Sequence, residues 1–243
     1  MRKIWTVAKR ELAGYFRSPV ASVFLVIFLI LTGFFTFMMG GFFQFGEANL
    51  SSFFVWHPWL YMLLVPAIGM RLWAEERRQG TLELLFTLPV AVNHAVMGKF
   101  LAGWCFLGLA LLLTLPMPLT VLYLGEPDLG PILTGYLGSF LLAGSYLSVS
   151  GWMSSCTKNQ VISFICSFVL CLLLVLAGYP PVTGFLLKWG APNGLVEFVA
   201  GCGVMSHFES LQQGVIDFRD MLYFGCVMLF SLLATTVTLR GDR

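Results

Sequence analysis

Charged side chains are scarce in this sequence. Acidic and basic residues make up 11% of its 243 positions and hydrophobic residues 58%. Ordinary soluble domains carry roughly 25% charged residues, so the shortfall excludes that class and points to an integral membrane protein. Metal-site patterns are missing too. The histidines His57, His94 and His207 are far apart, and none of Cys105, Cys156, Cys166, Cys171, Cys202 and Cys226 stands in a C-x-x-C pair. Most of these cysteines lie in apolar segments, where Cys packs as a small hydrophobe. No G-x-x-x-x-G-K-[ST] occurs, so the chain has no P-loop of its own for ATP.

Asp, Glu, Lys and Arg are absent from six windows, 18–46, 48–70, 100–125, 129–157, 159–187 and 221–239. A proton- or sodium-coupled carrier usually needs ionisable groups near mid-membrane, so a secondary carrier or channel is disfavoured. An intramembrane protease of the E-E-x-x-x-R type starting at Glu75-Glu76 requires Arg at position 80, where this chain has Gly80. No Ser/His or paired-Asp constellation suits hydrolysis in the membrane either. The chain reads as non-enzymatic, with no bound cofactor, no metal and no nucleic-acid partner.

Each window reaches the roughly 18–20 residues that span about 30 Å of hydrocarbon as a helix. The expected fold is therefore all-α and polytopic. Six transmembrane helices are predicted near 19–43, 55–74, 95–123, 132–154, 161–179 and 220–239, in one transmembrane domain covering 1–243. Orientation follows from Lys and Arg. With the N-terminus cytoplasmic, that side holds Arg2, Lys3, Lys9, Arg10, Arg17, Arg71, Arg77, Arg78, Lys99, Lys158, Arg240 and Arg243, against Lys188 and Arg219 on the far side. This positive-inside bias places both termini in the cytoplasm of a multi-pass cell (inner) membrane protein.

Residues 1–17 read as an amphipathic helix lying in the membrane interface. Ile4, Trp5, Ala8, Leu12, Tyr15 and Phe16 fill one face, and Arg2, Lys3, Lys9, Arg10 and Arg17 the other. The far-side segment 180–219 is the longest extramembrane connection. In it, Ser206 and Glu209 have the S-x-x-E form of a capping box, and Phe208, Leu211, Val215 and Phe218 recur on one face. A short amphipathic helix resting on the outer membrane–water boundary is predicted, with Asp217 and Asp220 stabilising the start of span six. Gly135/Ser139 and Gly144/Ser148 are small-xxx-small pairs that permit close helix approach, either within the subunit or between subunits.

The densest charge lies in one island, RLWAEERRQGTLELLFTLP, from Arg71 to Pro89. Glu75, Glu76, Arg77 and Arg78 extend span two beyond the membrane. Gly80 is suited to end that helix. Thr81 can cap a second one, with Glu83 in its first turn. Leu82, Leu84, Leu85, Phe86 and Leu88 make the second helix apolar before Pro89 stops it. A short helix across the membrane surface, with exposed apolar groups and a charged approach, suits a protein groove.

EERRQGTLELLFTLPV resembles the cytoplasmic loop of ABC-2 type transporter permeases, E-x-R-x-x-G-T-x-E-x-L-x-x-L-P, at Glu75, Arg77, Gly80, Thr81, Glu83, Leu85, Leu88 and Pro89. Gly98-Lys99-Phe100-Leu101 is similar to the start of that family's third span, and KRELAGYFRSPVA to its interfacial elbow helix. GVIDFRDMLYF resembles the branch that includes gliding-motility permeases and the permease of nitrous-oxide-reductase maturation. The resemblance implies a half-transporter. Two permease subunits, alike or related, would pair, and each would rest a coupling element, here 75–89, on one of two copies of a separate ATPase that binds ATP and Mg. Span interiors rich in Phe (Phe24, Phe28, Phe34, Phe35, Phe37, Phe164, Phe168) favour a hydrophobic or amphipathic cargo over a polar one. Equally open is transmission of ATPase motion to an extracytoplasmic partner docked on 180–219, with no solute moved.

Overall fold

The computed structural model describes residues 2–17, 19–42, 49–82, 91–190 and 192–241. Among these, every regular element is helical. The segment predicted as the elbow forms α1 (Arg2–Arg17). Next comes α2 (Pro19–Phe34), which widens into a π-helical turn at Phe35–Met39. Then follow α3 (Ser51–Phe54), α4 (His57–Gly69) and α5 (Arg71–Gln79), nearly end to end, and α6 (Val92–Leu112) with α7 (Pro116–Leu124). The long α8 (Leu129–Cys156) leads to α9 (Gln160–Ala177), the short α10 (Pro180–Lys188), α11 (Asn193–Gly201) and α12 (Val204–Gln212), and the closing α13 (Phe218–Gly241).

Six stretches among the described residues are long and apolar enough to cross a bilayer: Ala21–Met39, Ser51–Gln79, Val92–Leu124, Leu129–Cys156, Gln160–Ala177 and Phe218–Gly241. The protein is a polytopic, all-helical membrane protein. Three of the spans start on a polar cap. Asp128 accepts from Gly130 N–H at 2.9 Å, Asn159 from Val161 N–H at 2.9 Å, and Asp217 from Arg219 N–H at 3.0 Å. Each satisfies a backbone donor that the first helical turn leaves free.

Spans two and three depart from the continuous helices expected. Span three breaks at 113–115 because Pro116 has no N–H and its ring opposes a helical turn before it. The freed groups find partners. Thr114 Oγ1 donates to Leu111 O at 2.6 Å, and Tyr136 Oη on α8 donates to Thr114 O at 3.2 Å. Span two bends at Met70, between α4 and α5. There Ser154 Oγ of α8 donates to Met70 O at 2.9 Å and accepts from Trp73 and Ala74 N–H, both at 3.0 Å. Bilayer interiors tolerate such breaks only where the backbone groups are satisfied internally.

Helix α8 is the axis of the bundle, packed by α3–α6, α9, α12 and α13. Its small residues explain how. A Cβ on Gly135 would run into the Phe54 ring, and one on Gly138 would press on Leu211 and Phe208. One on Gly144 would meet the Trp104 indole and Met228 Sδ. Ser139 and Ser148 are buried. The small-residue face of α8 is thus filled from within this chain. By contrast, α2, α9 and α13 present apolar surface outward through Val26, Ile30, Ile165, Leu173, Leu233 and Val237, as lipid contact requires. Arg240 bonds Asn93 at 2.8 Å at the end of the bundle that carries the island, and Gln212 bonds Ser51 O at 3.0 Å at the opposite end.

Candidate functional site

The sequence singled out the island, and the structure shows how its described part is held. In α5, Leu72, Trp73 and Ala74 are buried while Arg78 and Gln79 are exposed. Gly80 ends the helix in the left-handed conformation, φ +69°, its N–H directed back at Arg77 and Glu76 carbonyls. Thr81 and Leu82 are already helical, so Gly80 and not Thr81 occupies the junction. The Thr81 hydroxyl instead donates to Glu76 O at 3.4 Å. Glu83, Leu85, Leu88 and Pro89 lie outside the described residues.

Behind the island sits a buried ammonium. Lys99 on α6 is 5% exposed. Its Nζ lies 2.8 Å from Glu76 Oε1, 3.7 Å from Glu11 Oε2, and donates to Leu72 O at 2.9 Å. It also stands 5.1 Å over the Trp73 ring. One cation therefore joins α1, α5 and α6. Lysine offers three donors and no acceptor, and here three oxygens surround it. Sequence reading missed this clasp, although two signals for it existed. Glu11 is a lone carboxylate amid the apolar positions of α1, and Lys99 is a lone cation at the head of an otherwise uncharged helix.

Helix α1 lies against α6. Gly98 admits Val7 and the Ile4 backbone, and Tyr15 stacks on Phe106 at 5.4 Å. Burial, with Glu11 nearby, pushes the Tyr15 phenol upward despite the opposing Arg71, so it stays a neutral hydroxyl. Lys9, Arg10 and Arg17 are exposed. Trp5 and Phe16, expected on the apolar face of this helix, are 67% and 53% exposed. Tryptophan at the level of lipid headgroups is a common anchor.

At the opposite end, α12 corrects the capping-box reading. The helix begins at Val204, so Ser206 is already inside its first turn. Its hydroxyl donates to Gly203 O and Ala200 O, both at 3.2 Å, and does not cap; Glu209 is exposed. Nor does α12 rest on the membrane surface with Val215 and Phe218. It stops before Gly214 (φ +91°), and Phe208 and Leu211 are buried against Gly138 of α8. Glycine at 138 leaves the room that draws this apolar face inward.

Asp217 caps span six as expected, but Asp220 does more. It is 6% exposed and accepts from Ser210 Oγ, and His207 Nδ1 lies 2.7 Å from its Oδ1. His207 Nε2 faces Gly201 O at 3.1 Å, and Tyr223 stacks on the imidazole at 4.1 Å. The cluster is not a hydrolytic triad, since the serine hydroxyl addresses the carboxylate and the second imidazole nitrogen is occupied by a carbonyl. It ties α11, α12 and α13 together. Among the described residues, no group of three or more His, Cys, Asp or Glu could hold a metal ion.

A family model described as ABC-2 family transporter protein matches residues 5–222. No curated protein matches the chain. The match runs from the elbow helix, through the island and its Lys99 clasp, into the last span. Family members are generally non-catalytic membrane components that pair as dimers and work with an ABC ATPase. The chain belongs to the ABC-2 family of transporter proteins, as a permease subunit of an ABC transporter.

Proposed function

We propose that residues 75–89 form the coupling element of this permease, seated on a separate ATPase that supplies ATP and Mg, and that its displacement drives export of a hydrophobic or amphipathic substrate. The observation that supports this reading is the Lys99 clasp. It fastens α5, the root of the island, to both α1 and α6 by contacts of 2.8, 2.9 and 3.7 Å. Force applied beyond Gly80 then has a stiff route into the membrane helices. The positive-inside count puts this end, with both termini, in the cytoplasm of the cell (inner) membrane. Each of two permease subunits would engage one ATPase copy. The GVIDFRDMLYF stretch supports membership of the branch that includes gliding-motility and nitrous-oxide-reductase-maturation permeases.

The test is Gly80→Pro. Proline cannot adopt φ +69°, so the junction must rearrange while the spans stay intact. The variant should insert normally and leave ATP hydrolysis in the reconstituted complex unresponsive to substrate. Unaltered coupled activity would refute the assignment. A second reading, motion passed to an extracytoplasmic protein, draws on the exposed aromatics Phe185 of α10, Trp189 just after it and Phe198 of α11 (54%, 79% and 73% exposed). Cross-linking from Phe198 to a protein, with no solute flux, would favour it.

A further inference from the structure

Beside the clasp, a half-open groove of about 400 Å³ runs between α1, α2, α4, α5 and α6. Toward the spans it is apolar, lined by Phe24, Leu64, Ile68 and Phe106; toward the island it carries Glu11, Arg71, Glu75 and Lys99. Val23 and Ile27, 55% and 41% exposed, flank it on α2, so it opens sideways, toward lipid. Polarity therefore changes along the groove as it does along a membrane amphiphile. The volume lies within the usual range for small-molecule sites, about 300–1,000 Å³.

The charges lining the groove are not equivalent. Lys99 is committed to Glu76, Glu11 and Leu72 O. Arg71 has no carboxylate within ion-pair distance among the described residues, and its buried Nε has no hydrogen-bond partner. A buried guanidinium donor left unpaired calls for an acceptor, and phosphate matches its planar fork. Glu75 stands one turn along the same helix and, among the described residues, accepts only from Gln79 Nε2 at 3.4 Å. A purely anionic headgroup would face its carboxylate; a headgroup that also carries an ammonium would pair with it.

We propose that this groove binds a zwitterionic phospholipid of the adjacent leaflet, its phosphate on Arg71, its ammonium toward Glu75, and one acyl chain along Phe24, Ile68 and Phe106. The inference rests on the membrane placement of the charged end given above, and not on ATPase coupling. The test is native mass spectrometry of the full-length chain in detergent, titrated with dioctanoyl phosphatidylethanolamine, dioctanoyl phosphatidylglycerol and dioctanoylglycerol. Phosphatidylethanolamine should bind tightest. Arg71→Gln should weaken it by roughly tenfold or more, the scale of a lost charged hydrogen bond, and Glu75→Gln should bring it down to the phosphatidylglycerol level. Ile27→Trp, which fills the mouth from the lipid side without touching a charge, should block all three lipids. Equal binding of dioctanoylglycerol or of phosphatidylglycerol, or an Arg71→Gln affinity within twofold of the parent, would overturn the proposal. No ATPase is present, so a failure of lipid binding reads separately from a failure of coupling.

Discussion

Replacing Lys99 with Met removes the clasp and keeps most of the apolar stem. Glu76 then loses its partner at 2.8 Å, Leu72 O loses its donor at 2.9 Å, and Glu11 loses the Lys99 contact at 3.7 Å while keeping Arg10 at 2.9 Å. At an effective dielectric of about 20, the Glu76 contact alone has a Coulomb term on the order of 6 kcal/mol. Desolvating the ammonium offsets much of that, and the two carboxylates keep 21% and 24% of their side-chain exposure. The net loss expected is about 3 kcal/mol, the lower end for breaking a buried pair. For a chain of this size that corresponds to a melting-point fall of roughly 6–12 °C. The assays are thermal unfolding in detergent and substrate-stimulated ATP hydrolysis in the reconstituted complex. Adding Glu76→Leu removes the orphaned carboxylate. It should recover part of the stability, since an apolar replacement of a whole buried pair is often near neutral, and should leave coupling lost. A Lys99→Met protein with the parent's melting point and the parent's coupled hydrolysis would refute the clasp as a structural and mechanical link.

Gly144→Leu should prevent accumulation of folded protein, because the added side chain meets the Trp104 indole and Met228 and displaces the Trp104 Nε1–Phe140 O bond of 2.9 Å. Overpacking of this kind costs roughly 1–3 kcal/mol or more, and size-exclusion profiles of solubilised protein read it out. Asp220→Ala strips His207 Nδ1 and Ser210 Oγ of their acceptor, so the 202–217 connection should exchange amide hydrogens faster by about 2 kcal/mol while the core of α8 keeps its protection. A tag fused at the C-terminus should be reachable from the cytoplasmic side alone; labelling from outside would break the even number of crossings.

What the sequence made legible was whatever depends on local composition. Six charge-free windows became six spans because a bilayer penalises every buried charge and every unpaired backbone group. Gly80 was legible as a helix end because few other residues take a positive φ there. The break before Pro116 followed from the same kind of rule, yet the hydrophobic run through it outweighed the proline in the reading. The capping box failed because the helix starts at Val204, two residues before Ser206, a start that buries Phe208 and Leu211 against Gly138. The clasp was hidden for a different reason. Its members come from positions 11, 72, 76 and 99, and no periodicity links residues on three helices. Ser154 was equally hidden, since the break it satisfies at Met70 lies 84 positions away in the chain.

These two unforeseen contacts act at different points on one helix. Ser154 grips α5 at its root, where it meets Met70 O and the Trp73 and Ala74 N–H groups. Lys99 grips it at Leu72 and Glu76, the latter only four residues short of Gly80. A nine-residue helix is roughly 13–14 Å long. Displacement applied beyond Gly80 would therefore turn α5 about the Ser154 contact, and the Glu76 arm of the clasp, farther out along that length, would carry much of the movement to α1 and α6. The hinge is fixed to the axis of the bundle, while the clasp leads to the elbow and to span three. Under the coupling role proposed above, such a geometry would leave α8 still and move the helices that border the Arg71 groove, so a stroke at the island would reshape that cavity before it disturbed the core.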